Sequence, residues 1–130
     1  MKTVENILMK FEECCRMEIH PPASTMSITE MKTNHPFVPS QVLDLYRITD
    51  GMEIGMTGTE FYPVREVQIC KYGGESSPCF LEIGRMSFGD WIAVTPEGKI
   101  ALLDHENGYT VQLEWDSLVD FLADELSALD

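Results

Sequence analysis

Asp104, His105 and Glu106 stand consecutively in "ALLDHENGYTVQLEW", residues 101–115. Two carboxylates and an imidazole are groups that hydrolases use for proton transfer and that metal ions take as ligands. To act at one point they must face one way. Tyr109, Val111, Leu113 and Trp115 alternate with Thr110, Gln112 and Glu114, which reads as a strand returning from a hairpin at Asn107-Gly108. Successive strand side chains point to opposite faces, so His105 is expected to turn away from both neighbours. A two-residue loop would set Glu106 opposite Tyr109, His105 opposite Thr110, Asp104 opposite Val111 and Leu102 opposite Leu113. Asp104 and Glu106 would then be same-side carboxylates roughly 7 Å apart on the sheet rim. The expectation is turn chemistry, with no catalytic residue and no metal site.

Other routes to chemistry are absent from the sequence. It holds no G-x-S-x-G, no phosphate-binding glycine loop, no H-E-x-x-H and no calcium loop. His20 and His35 precede Pro21 and Pro36 and read as loop residues. In "FGDW", Gly89 and Asp90 suit a turn, because glycine permits positive φ and aspartate favours such positions. Trp91 and Trp115 are expected on strands facing helices, as core. The protein is therefore read as no enzyme, with no cofactor.

The elements that must position these residues follow from periodicity. Val4, Ile7, Leu8, Phe11, Cys14 and Cys15 fall at helical spacing behind Thr3, a capping residue. "SITEMKTN" predicts a short helix opened by Ser27, with Glu30 completing a capping box. Pro39-Ser40 opens another helix, with Val42, Leu45, Tyr46 and Thr49 on one side and Gly51 as its left-handed stop. The period then becomes extended. "MEIGM" and "TEFYPV" predict strands around Thr57-Gly58, residues 73–78 a loop, and "CFLEIGRM" a strand breaking near Gly84. "TPEG" fits a type I turn within a hairpin. "WDSLVDFLADELSAL" predicts a closing helix opened by Asp116 or Ser117, with Leu118, Phe121, Leu122, Leu126 and Leu129 buried. Helices, a strand meander and one more helix make a single α+β domain over residues 1–130.

The chain carries a net charge of −13. That argues against nucleic acid and an anionic membrane surface as partners and permits a basic protein partner, a solvated acidic face kept for solubility being the plainer reading of charge alone. After Lys99 there is no Lys or Arg, while Asp104, Glu106, Glu114, Asp116, Asp120, Asp124, Glu125 and Asp130 follow. Asp124 and Glu125 fall at the helix end where the dipole disfavours anions, which suggests a surface role. No stretch approaches the roughly 18 apolar residues of a membrane span. Cys14, Cys15, Cys70 and Cys79 form neither a zinc pattern nor a disulfide framework, and are expected as buried free thiols in a reducing cytoplasm.

Three segments in order, "VPSQVLDLYRITDG", "FLEIGRMSFGDWIAVTPEGKIALLDHE" and "WDSLVDFLADEL", resemble the SUKH superfamily. That group is built around the yeast Smi/Knr cell-wall assembly regulator and many bacterial immunity proteins. The first segment looks like the family's proline-led helix with its Asn/Asp-Gly turn, the second like its glycine-marked strand and Gly-Asp hairpin. The third is similar to its closing helix, with Leu118 where an aromatic is commoner and Phe121-Leu122 matching. The likeness runs from about residue 27 to 126. It implies a mixed, mostly antiparallel sheet flanked by helices, and a non-enzymatic module that neutralises a basic toxin domain, often a nuclease. Glu53, Glu60, Asp104, Glu106 and Glu114 are the candidate partner contacts. A regulatory scaffold is the alternative, and an activity at Asp90, Asp104 and Glu106 a third. Oligomeric state is left open.

Overall fold

The computed structural model describes residues 3–70 and 80–129. Four helices, α1 (Val4–Cys14), α2 (Thr25–Asn34), α3 (Ser40–Ile48) and α4 (Leu118–Ser127), lie with an eight-stranded sheet. Its strands are β1 (Met17–Ile19), β2 (Met52–Ile54), β3 (Thr59–Phe61), β4 (Gln68–Cys70), β5 (Phe80–Arg85), β6 (Trp91–Val94), β7 (Ile100–Asp104) and β8 (Thr110–Trp115). The α+β class expected from the sequence is the one adopted. Every pairing among the described residues is antiparallel. The order is β1-β2-β3-β5-β6-β7-β8, and β4 follows β3 along the same edge of β5. No helix among the described residues is long and apolar enough to cross a membrane.

The helices start where side chains can satisfy their first free N–H groups. Thr3 Oγ1 accepts from Asn6 N, Ser24 Oγ from Ser27 N, and Ser117 Oγ from Asp120 N. The middle helix therefore opens at Ser24, before the Ser27 start read from the sequence. Ser27 donates to the cap instead of forming one. Val4, Ile7, Leu8 and Phe11 of α1, Val42, Leu45 and Tyr46 of α3, and Leu118, Phe121 and Leu122 of α4 are buried together against the sheet. At about 25 cal/mol per Å² of apolar area, this common face is the main favourable term of the fold. Leu126 and Leu129 are half-buried against it. The cysteine expectation is corrected at two positions: Cys14 is exposed and Cys15 half-buried, both as free thiols, since the buried stripe of α1 ends at Phe11, while Cys79 lies outside the described residues.

The sheet has two unlike faces. Leu81, Ile83, Ile92, Val94, Ile100 and Leu102 point to the helices. Ala93, Ala101 and Leu103 point the other way, with Phe80, Trp91 and Tyr109 packed on them. Trp115 behaves as expected, edge-on to Phe121 at 4.8 Å between ring centroids. Trp91 does not: it lies on the far face and stacks on Tyr109 at 4.0 Å. Its register explains this, because it pairs with Leu103, one step out of phase with the helix-facing Leu102.

The "TPEG" turn is present, with Gly98 N donating to Thr95 O at 2.9 Å. The loop read at residues 73–78 lies outside the described residues. The break expected near Gly84 takes the form of a register shift between Glu82 and Gly84, past which the strand runs on to Arg85. Gly84 also marks a close approach: a Cβ there would fall on the Glu60 carbonyl oxygen. Gly51 has φ +96 as expected, but α3 already stops at Thr49, so this glycine turns the chain into β2.

Candidate functional site

β1 and β2 carry the same triplet, Met-Glu-Ile, and pair with each other antiparallel. Glu18 therefore stands opposite Glu53, Glu53 opposite Glu60 of β3, and Glu60 opposite Arg85 of β5. Partners in register share a face, and here it is the one away from Met52, Ile54 and Phe61, which are buried. Three carboxylates thus follow one another at the strand spacing of about 4.8 Å. One guanidinium closes the row: Arg85 Nε donates to Glu60 Oε1 at 2.9 Å. That bond holds the Arg85 pKa above its ordinary value. Like charges directly opposite each other destabilise a strand pair, and Glu53 has one on both sides.

The row forms part of a cleft of about 510 Å³ whose walls include Pro21, Pro22 and Pro63. Asp50 and Glu66 join Glu18, Glu53 and Glu60 in its lining, against the single guanidinium of Arg65. Asp50 Oδ1 is occupied in part, accepting from Val64 N at 2.8 Å. A second hollow of about 450 Å³ shares Glu60, Arg65 and Glu66 and reaches Glu82. Glu82 is buried, and its carboxylate accepts from Tyr62 Oη and from Gln68 Nε2. Burial, with that carboxylate beside it, pushes the Tyr62 hydroxyl pKa well up, so it stays protonated as a donor. The surface is concave and strongly acidic, and suits a cationic occupant.

The Asp-His-Glu triplet is built differently from the strand expectation. Residues 105–107 form a short 3-10 turn, Gly108 has φ 68 and Tyr109 has φ 59. The connection is not a two-residue hairpin. Asp104 pairs with Thr110, and a register shift beyond Leu102↔Leu113 brings Leu103 opposite Val111. Alternation stops at Asp104, so His105 is free to turn towards Asp90. Asp90 Oδ1 accepts from His105 N at 3.0 Å and lies 2.5 Å from His105 Nδ1. Asp90 is 3% exposed. The imidazole lies over Gly89, which takes the positive φ that its turn position permits, +104.

Asp104 Oδ1 accepts from Glu106 N, while His105 Nε2 lies 3.9 Å from Glu106 Oε1. One ligand atom each from Asp90, Asp104 and His105 falls within 4.8 Å of the other two. The expected separation of His105 from Asp104 is thereby corrected. Among the described residues, these three side chains are grouped so that they could present ligands to a cation. Asp90 already spends one oxygen on both His105 groups, which fastens the 86–90 turn to the 104–109 turn.

The expected contacts consequently divide. Glu53 and Glu60 are neighbours in the cleft; Asp104 and Glu106 flank His105; Glu114 lies on β8, where Lys99 bridges it to Asp116 at 3.6 Å each. Glu18, Asp50 and Glu66 were missed. The repeated Met-Glu-Ile of residues 17–19 and 52–54 was the available signal for Glu18. Asp124 and Glu125, at the helix end where the dipole disfavours anions, each accept a side-chain hydrogen bond; Asp124 is exposed and Glu125 half-buried. Trp115 Nε1 donates to Asp124 Oδ2 at 2.6 Å, and Thr59 Oγ1 to Glu125 Oε2 at 3.1 Å.

Compared with protein-family models, with curated proteins and with solved structures, the chain matches none.

Proposed function

We propose that this chain is a non-enzymatic protein-binding module of the immunity or antitoxin type, acting in the cytoplasm by covering the basic surface of a toxin domain. The observation that carries this reading is the cross-strand row Glu18–Glu53–Glu60. It lowers the stability of the free protein and is relieved when cations enter the cleft. A nuclease that grips phosphates needs a basic active-site surface, and a protein of net charge −13 attracts and steers such a partner. The SUKH resemblance of residues 27–126 supports the same class. The Asp90–His105 pair is assigned a structural role, as a fastener between two turns.

The test is stopped-flow association with a cognate basic toxin domain. The expected result is a tight complex whose on-rate falls steeply with added salt. A triple Glu18→Gln, Glu53→Gln, Glu60→Gln variant should lose most of that salt dependence. An on-rate indifferent to salt, or to the triple substitution, would sink the proposal.

A further inference from the structure

We infer that the outer edge of β8 is a second docking element, which takes an extended, basic-flanked strand of a protein partner by strand addition. β8 is six residues long and, among the described residues, pairs only with β7. Its outer edge therefore offers backbone donors and acceptors to another chain. It is also apolar on both sides. Leu113 shares the face of Leu102, Val111 that of Leu103, and the two are 52% and 45% exposed. The usual protections of an edge are weak here: the strand holds no lysine and no proline, and its single acid, Glu114, is bridged to Lys99. The shift at Gln112 is the one irregularity, and it is what sends Val111 and Leu113 to opposite faces.

Charge decides the occupant. Glu106, on the turn that leads into the strand, and Asp116, directly after it, have side chains 82% and 86% exposed; Lys99 bridges Asp116 as it does Glu114, so that end holds two carboxylates against one cation. A second copy pairing on this edge would bring these carboxylates against their own kind in either strand direction, and each copy carries −13. An apolar strand with lysine or arginine at both ends has the opposite complement. The inference rests on the reading of the partner as a basic protein and adds how one segment of it is held.

The probe is a synthetic peptide of alternating valine and threonine with two lysines at each end. Its control is the same peptide with alternate backbone amides N-methylated, which keeps charge and side chains and loses the donors. Binding of the unmodified peptide to the full chain should slow hydrogen exchange of the β8 amides, and the methylated peptide should bind at least about tenfold more weakly. Val111→Lys with Leu113→Lys, both exposed sites, should weaken binding similarly while circular dichroism stays unchanged. Equal binding of the two peptides overturns strand addition and leaves the basic-partner reading standing. Binding by neither overturns it too, while salt-dependent association at the acidic cleft remains a separate measurement. A concentration-dependent dimer that protects β8 without peptide overturns it in favour of a second copy.

Discussion

Glu53 faces Glu60 across the β2–β3 pair, one register step from the buried Met52↔Phe61 contact. The core side of these strands requires this register, because a slip by one residue would turn Met52, Ile54 and Phe61 outwards. The apolar residues thereby impose the carboxylate row on the opposite face. Its unfavourable repulsion is maintained by the favourable burial behind it.

Replacing Glu53 with Gln should stabilise the free protein. The substitution removes a repulsion towards Glu18 and another towards Glu60 and keeps the side chain's size. At roughly 0.2–1 kcal/mol per opposed pair, urea unfolding at low ionic strength should show a gain of that order. The gain should shrink as salt is added. The same variant should bind a basic partner more weakly, so stability and binding are expected to move in opposite directions. Stability unchanged or lowered at low salt would contradict the row as a source of strain.

The Asp90–His105 fastener predicts a pH dependence. The hydrogen bond to Asp90 raises the His105 pKa above its ordinary value; partial desolvation opposes this, and Asp90, Glu106 and Asp104 add attraction. A folded-state value above the unfolded one means that protonation favours the folded state. The contribution is complete below the unfolded value of about 6.5 and vanishes as pH rises through the folded one. Wild type should therefore exceed His105→Gln in stability by more at about pH 5.5 than at about pH 8.5. A difference that is flat with pH, measured by urea midpoints, would remove the ion pair from the account.

Much of the layout was legible because it depends on local rules. Thr3 and Ser117 cap as their types require, Gly98 closes the "TPEG" turn, and the stripes of α1, α3 and α4 face inwards. Strand alternation fails at one connection, between β7 and β8. Asn107-Gly108 does make a turn, but Asp104 captures Glu106 N and winds residues 105–107 into a 3-10 turn. That side-chain bond competes with the ladder and moves His105 onto Asp90, 15 residues away, a meeting that no local spacing announces. The acidic row was hidden for a related reason. β1 has only three residues, too few to show a period, and its identity comes from pairing with β2. Tertiary register decided both places.

Trp115→Phe isolates one internal role of the closing helix. Phenylalanine can keep the edge-on contact with Phe121 but loses the indole N–H that donates to Asp124 Oδ2. A hydrogen bond to a charged acceptor contributes about 1.5–3 kcal/mol, and exposure of this acceptor argues for the lower end or less. Chemical denaturation should show a loss of about 1 kcal/mol with the denaturant slope unchanged. An Asp124→Asn change made in the Trp115→Phe background should then cost little more. Additive losses would mean that the two side chains act independently.

Glu125 supplies the complementary case, a carboxylate whose ionisation opposes folding. Burial raises its pKa; the hydrogen bond from Thr59 works against that rise, and Asp124 adds to it. For an acid, a folded value above the unfolded one means that the charged form is better tolerated in the unfolded chain. Stability is therefore lost as pH climbs from the unfolded value through the folded one, and the deficit persists at neutral pH. Glu125→Gln retains an oxygen to accept from Thr59 Oγ1 and carries no charge. It should be more stable than wild type at pH 7 and lose that advantage below about pH 4, where the native glutamate is protonated in both states. Paired urea titrations at the two pH values measure this directly. A variant less stable at neutral pH would show that Thr59 needs the ionised oxygen, and that the bond outweighs burial.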